Sequence, residues 1–437
     1  MSKDSTRHII QYEDNLRGAY MSGYKISGGQ RLSGKIMVQG AKNSALPILA
    51  ATLLIKEKSI IHNCPDLTDV DAALKILVML GAICVRDENT VIVDSRDAVN
   101  YEISRELMSE MRSSVVFLGA IVSRMGRAVI SYPGGCELGP RPIDLHLSAL
   151  KQLGVEICDE NERIICSAPH GIKGANIHLA FPSVGATENI IITSVLSQGT
   201  TVIYNAASEP EISDLADFLN AAGAKIKGAG SNTVTIEGVD KLHSVEHKVI
   251  PDRIVAATYL AAAAATGGDV LLENNSAVNM QSVLRFFNNI GCTTKVKSNT
   301  IYLKGKDVYQ GDFNIETGVF PGFPTDAGPI IVPLFCKMNG INTIKETIFK
   351  NRFRYISELN KFGADIKLNE NIAICDGVKK LKCADSKCTD LRGGAALVLA
   401  ALIADGESCV EEIFHIERGY VNMAKNLCSI GANIKEF

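Results

Sequence analysis

The chain has 437 residues, 46% apolar and 21% charged, with a formal net charge of −3. That length allows two domains with substantial cores, and the composition fits a globular protein; nothing in it offers the basic excess a nucleic-acid binder needs. The longest apolar runs, 259–266 and 395–404, fall far short of the roughly 20 residues that span a bilayer.

The first residues, MSKDSTRHIIQYEDN, are polar and lack the apolar stretch of a secretion signal. Residues 1–22 read as a flexible extension. A strand follows at 35–39, then a helix at 44–54, and the first of six recurring glycines, Gly81. The others are Gly154, Gly223, Gly291, Gly363 and Gly431, each ending a helix-like stretch and opening a strand, as in QLGVEIC and SIGANIK. Their spacing of about 70 residues exceeds the solenoid periods of roughly 20–50, so each interval holds a whole compact unit.

The third interval shows the unit most clearly. A strand at 176–179 precedes a small-residue helix at 185–196, then a strand at 200–205, a helix at 212–222, Gly223, and two strands at 224–227 and 233–237. The order is strand–helix–strand–helix–strand–strand, with the glycine as a C-cap where positive φ is needed. The first helices of the six units, at 44–54, 112–125, 185–196, 252–266, 326–338 and 391–404, are apolar nearly all round, as fully buried helices are. These features predict an α/β protein of two bodies, each of three βαβαββ units, with strands outside and buried helices inside.

The sixth unit stops at its third strand, 432–436. The start of the chain, with the strand at 35–39, is therefore expected to complete it. Residues 23–42 then join 251–437 in one domain, and 43–250 form the other. The two crossings, near Lys42 and Ile250, suit a hinge beside a cleft.

The twelve cysteines form no C-x-x-C pair and no zinc-type spacing. Cys84, Cys158, Cys166, Cys292, Cys336 and Cys428 sit in apolar patterns and read as buried reduced thiols of a cytoplasmic protein. Phosphate-loop, dinucleotide and H-E-x-x-H motifs are absent from the sequence, so neither a metal nor an organic cofactor is expected.

Charged or glycine-rich groups collect where the buried helices start. They are Lys42 and Asn43, Arg112, Ser183-Val184-Gly185, Asp252 with Arg253, Asp326, and Asp390 with Arg392. Helix N-termini favour anions, and the cations would add to that. Each aspartate taken alone reads as an ordinary N-cap. The loops before the second helices carry Arg141, Glu209, Glu211, Arg352, Arg354 and Arg418, and the arginines among them suit carboxylate or phosphate. One loop, YPGGCELGPRPIDLH at 132–146, surrounds Cys136 and Arg141 with three glycines and three prolines. On its residues alone it reads equally as a functional lid and as a plain turn.

The segments GAKNSALPILAATLL, PGGCELGPRPIDLHL, SVGATEN, NAASEPEISD, PDRI, FPTDAG, ETIFKNRF, TDLRGGAAL and HIERGY resemble those of the UDP-N-acetylglucosamine 1-carboxyvinyltransferases. The resemblance runs over residues 24–437. It implies two inside-out α/β domains of the EPSP synthase type. It also implies transfer of the enolpyruvyl group of phosphoenolpyruvate to the 3-hydroxyl of UDP-N-acetylglucosamine, the step that opens peptidoglycan synthesis and so serves cell-wall biogenesis, cell shape and division. No cofactor, nucleic acid or membrane partner is implied, and the oligomeric state is left open.

By the same resemblance, Lys42 and Asn43 contact phosphoenolpyruvate, with Arg141 and Arg418 around its phosphate and carboxylate. Arg112, Arg141, Pro142, Ile143, Asp144 and Leu145 line the nucleotide-sugar site, which Ser183, Val184 and Gly185 serve through their backbone. Asp326 and the backbone at Ile348 hold the amino sugar. Asp326 is the base for the 3-hydroxyl, Asp390 assists proton transfer, Arg352 and Arg392 add charge, and Cys136 protonates the enol. One departure is Phe181-Pro182, where some relatives carry a basic residue. Two rivals are a 3-phosphoshikimate 1-carboxyvinyltransferase, whose usual D-K-S-x-S-H-R and L-G-N-A-G-T stretches are missing here, and a silent paralogue that senses UDP-sugars.

Overall fold

The computed structural model describes residues 8–9, 23–132 and 143–437, and for residues 8, 9 and 112 the backbone only. Cys136, Arg141 and Pro142 lie outside the described residues. All six repeat glycines take positive φ, between 79° and 106°, the conformation that ends a helix without a Cβ clash.

The third repeat illustrates how the sheets are built. Asn176–His178 runs parallel to Thr200–Tyr204, which pairs antiparallel with Thr233–Glu237, which in turn pairs antiparallel with Lys225–Lys227. Ile177 stands opposite Ile203, and Ile203 opposite Val234, so one face is continuously apolar and buried. The fifth repeat has the same order, with Asn314–Glu316, Ile341–Lys345, Ile372–Asp376 and Asp365–Asn369 side by side. In the second repeat a lone parallel bridge, Glu102 to Val129, occupies the place of the first strand.

The chain divides into two compact units, one holding 40–132 and 143–250 and the other 23–39 and 251–437. Gly40, Ala41 and Lys42 belong to the first, so the crossing lies at 39–40 and not after Lys42. Gly40 is wedged against Asn63, where a Cβ would come 1.7 Å from the carbonyl oxygen, and the Ala41 N–H donates to Ile250 O at 2.8 Å. The close approach at Gly40 and the hydrogen bond at Ala41 tie this segment to the first unit.

The completion of the sixth repeat differs from expectation in which strand performs it. Gly23–Ser27 inserts between Glu407–Glu411 and Asn433–Glu436, antiparallel to both. The strand expected at 35–39 runs over Ser33–Met37 and instead lies parallel to Asp269–Glu273, as first strand of the fourth sheet. Val245–Lys248 plays the same part in the first sheet, parallel to Lys58–His62. That sheet also gains His8–Ile9 along Ile83–Asp87, so two residues of the N-terminal extension are paired.

The buried helices are Lys42–Thr52, Phe117–Met125, Val184–Ser194, Arg253–Thr266, Gly328–Lys337 and Leu391–Ile403. In the first unit Phe117–Met125 packs on its two counterparts; in the second the three pack on one another. Ile330, Ile331, Leu334 and Phe335 are wholly buried, each contributing about 1.5–3 kcal/mol of hydrophobic stabilisation. The helix expected at 112–125 is divided. Arg112–Val116 is a 3₁₀ turn, opened by the Ser114 N–H donating to Met111 O, and only Phe117–Met125 is α-helical. Among the described residues no helix is long and apolar enough to cross a membrane.

Candidate active site

In the first unit Lys42 opens its helix, 8% exposed, with Nζ 3.0 Å from Asp69 Oδ2. Asn43 beside it is exposed. Two residues on, the Ser44 hydroxyl donates to Asp214 Oδ2, which also accepts the Ile250 N–H at 3.2 Å; Asp214 Oδ1 is 2.9 Å from His247 Nε2. One buried carboxylate thus fixes the helix start that presents Lys42 and the segment at Ile250 that follows the strand Val245–Lys248.

The described residues of this unit expected at the nucleotide sugar sit at two helix starts and one 3₁₀ turn. Ser183 caps Val184–Ser194, its Oγ accepting the Ala186 N–H at 3.4 Å, and Thr187 bridges Ser183 O and the Ala207 N–H. Ile143 precedes Asp144–Gln152, with Asp144 exposed and Leu145 half-buried. His146, on the first turn of that helix, is 8% exposed. Burial pushes its imidazole down to about 4, against a small opposing effect of Asp144, so the ring is neutral. Arg112 starts the 3₁₀ turn.

In the second unit the three aspartates expected at helix starts behave differently. Asp252 Oδ1 accepts the N–H groups of Ile254 and Val255 at 2.9 and 3.0 Å, and Asp390 Oδ1 those of Arg392 and Gly393 at 3.1 and 3.0 Å. Both are N-caps. Asp326 is not a cap. Its carboxylate accepts from the Arg352 guanidinium and lies 3.5 Å from Arg392 Nε, and both arginines are 2% exposed. Arg352 also donates to Thr325 O, and the Arg392 guanidinium lies 5.3 Å from the Tyr420 ring centroid. Burial works against the charge on Arg392, yet Tyr420, Asp326 and Asp252 hold it above its ordinary value. The two guanidiniums thus sit among the carboxylates of Asp326 and Asp252, and their planar forks are of the kind that binds carboxylate or phosphate.

Glu346 organises the rest of this corner. Its carboxylate accepts from Ile348 N–H at 2.7 Å, Phe349 N–H at 3.0 Å and the Thr325 hydroxyl at 2.8 Å. The Ile348 N–H, expected to serve a ligand through its backbone, is therefore engaged by Glu346. Arg418 is half-buried after the short helix Phe414–Glu417. Gln39 holds the following segment, donating to Gly419 O and accepting the Val421 N–H at 2.7 Å. Arg354 is exposed; Glu211 is buried. Sequence reasoning did not single out Asp69, Asp214, Asn189, Glu346 or Gln39. Asn189 had a visible signal, an amide inside a helix apolar on all sides, which must find buried partners.

A family profile described as EPSP synthase (3-phosphoshikimate 1-carboxyvinyltransferase) matches residues 26–427. The chain is 47% identical over 414 residues to UDP-N-acetylglucosamine 1-carboxyvinyltransferase 2 of Caldanaerobacter subterraneus subsp. tengcongensis, covering 95% of this chain and 99% of that one. It is 45% identical over 410 residues to UDP-N-acetylglucosamine 1-carboxyvinyltransferase of Endomicrobium trichonymphae, covering 94% and 98%. Among solved structures, the enolpyruvyl transferase NikO from Streptomyces tendae superposes with a TM-score of 0.86 at 23% identity, over 95% of this chain and 99% of that one. EPSP synthase from Acinetobacter baumannii gives 0.74 at 17%, over 96% and 100%. The fold is that of these two enzymes, and the chain belongs to the EPSP synthase family, among its UDP-N-acetylglucosamine 1-carboxyvinyltransferases.

Proposed function

We propose that this chain transfers the enolpyruvyl group of phosphoenolpyruvate to the 3-hydroxyl of UDP-N-acetylglucosamine and releases phosphate. The observation that carries this reading is the 47% identity, over nearly the whole of both chains, to a relative of that name. Both substrates are polyanions, and the cation-bearing helix starts match them. Every described cysteine is a free thiol, although Cys158 and Cys428 are exposed and not buried as their apolar patterns predict; free thiols suit a reducing compartment such as the cytoplasm.

The addition step joins the sugar 3-oxygen to C2 of the enol as a proton is added to C3. Asp326 accepts the hydroxyl proton and Cys136 supplies the proton to C3. The elimination step removes a proton from C3, restores the vinyl group and expels phosphate from the tetrahedral ketal, with Asp390 assisting proton movement. Lys42, Asn43, Arg141 and Arg418 bind phosphoenolpyruvate, and Arg352 and Arg392 spread the charge around Asp326. Arg112, the segment from Arg141 to Leu145, the helix start at Ser183–Gly185 and the backbone at Ile348 bind the nucleotide sugar.

The test is phosphate release from phosphoenolpyruvate by the purified full-length chain. Release that requires UDP-N-acetylglucosamine supports the reading. Release that requires 3-phosphoshikimate instead, or nucleotide-sugar binding without release, replaces it.

A further inference from the structure

The helix Val184–Ser194 carries an amide, Asn189, that is 1% exposed. A buried amide must satisfy an acceptor and two donor hydrogens. Asn189 Oδ1 accepts the Gly119 N–H at 2.8 Å, and Nδ2 donates to Val115 O and to His146 Nδ1, each at 2.9 Å. The acceptor on the Gly119 side and the donor on the Val115 side fix which way the amide points.

These partners belong to separate segments. Val115 lies in the 3₁₀ turn that starts at Arg112, Gly119 in the helix after it, and His146 on the first turn of Asp144–Gln152. Glycine at 119 is what lets the helices approach so closely, because a Cβ there would fall 2.3 Å from Asn189 Oδ1 and 2.4 Å from Thr193 Oγ1. The neutral imidazole accepts at Nδ1, so its proton resides on Nε2. That edge lies against Gly185, where a Cβ would meet Cε1 and Nε2 at 3.1 and 3.3 Å.

We propose that Asn189 is a positioning residue for the nucleotide-sugar site: through His146 and the Val115 carbonyl it holds the Arg112 turn and the helix starts at Asp144 and Val184 in one arrangement. The proposal rests on the functional reading above, which gives those segments to UDP-N-acetylglucosamine. Asn189 is too deeply buried to touch the substrate and acts through its neighbours. It also selects the His146 tautomer whose N–H faces the bare backbone at Gly185.

The experiment is steady-state kinetics of the full-length protein, each substrate varied in turn. Asn189→Leu removes all three bonds at similar volume, and Asn189→Asp keeps the acceptor for Gly119 but replaces the donors by a carboxylate oxygen that opposes the Val115 carbonyl and favours the other His146 tautomer. Both should raise KM for UDP-N-acetylglucosamine about tenfold or more, with kcat and KM for phosphoenolpyruvate within about threefold. His146→Ala should give part of the same effect and add little to Asn189→Leu, as coupled residues do. The control is Asn342→Leu, which removes a wholly buried amide bonded to the Phe313 N–H and Gly340 O in the second unit. It should lower the melting temperature without moving either KM. If Asn189→Leu does not fold, Asn189→Asp and His146→Ala carry the test. Variants that raise both KM values alike, or leave that for the nucleotide sugar within threefold, overturn the positioning role while wild-type turnover upholds the reaction. A wild type without nucleotide-sugar-dependent release overturns both.

Discussion

Replacing Asp326 by asparagine separates two roles that its geometry combines. The carboxylate faces two guanidiniums, Arg352 and Arg392, each 2% exposed, and is itself 28% exposed at its side chain. At the 3.5 Å separation of Arg392, an effective dielectric of about 20 gives roughly 5 kcal/mol of attraction. Desolvation of the ions offsets much of this, and solvent at the partly exposed carboxylate screens part of the remainder. The expected net loss in Asp326→Asn is about 1–3 kcal/mol, or roughly 3–10 °C in melting temperature for a unit of this size. Loss of a general base should lower kcat by about 10²–10⁴. Calorimetry and phosphate release on the same preparation read both. A lowered melting temperature with kcat within threefold of wild type would refute the base, leaving Asp326 as a counter-ion alone. An unchanged melting temperature would refute the argument that the buried arginines depend on it.

Cys136→Ser should reduce turnover by about 10²–10⁴ with both KM values largely kept; normal turnover in the phosphate assay excludes the thiol as proton donor. Glu188 is held above its ordinary value by burial, then by Glu211 and Glu209, so the folded chain keeps a proton that the unfolded chain releases above pH 4.5. Its contribution is whole below that pH and is lost as pH rises. Glu188→Gln should therefore gain stability over wild type by up to about 1.4 kcal/mol per pH unit above 4.5 until the folded carboxyl ionises, read as a melting-temperature gap that widens as pH rises above 4.5. His146 has the opposite sign. Its folded value of about 4 lies below the ordinary 6.5, so its contribution is whole above pH 6.5 and is lost as pH falls towards 4. At pH 5 the loss is about 2 kcal/mol, and the melting temperature of His146→Gln should fall less than that of wild type between pH 7 and 5.

The repeat was legible because its signal is local: a glycine that must take positive φ, followed by an alternating strand, six times over. Which edge a strand joins was not legible. Four of the six sheets share one four-stranded order, and the other two differ only by an added edge strand or a first strand reduced to a bridge, so the patterns of Gly23–Ser27 and Ser33–Met37 fit several of them, and only the return of Val245–Lys248 and the missing strand of the sixth unit decide the pairing. The contrast among the three aspartates was legible in principle. Asp252 and Asp390 each cap the N–H groups two and three residues ahead. The same two positions after Asp326 are Gly328 and Pro329. Proline has no N–H to offer, and the Gly328 N–H is taken by Thr325 O at 3.2 Å. With nothing to cap, the carboxylate turns to the arginines. The proline at 329, visible in the sequence, therefore separates Asp326 from the two capping aspartates.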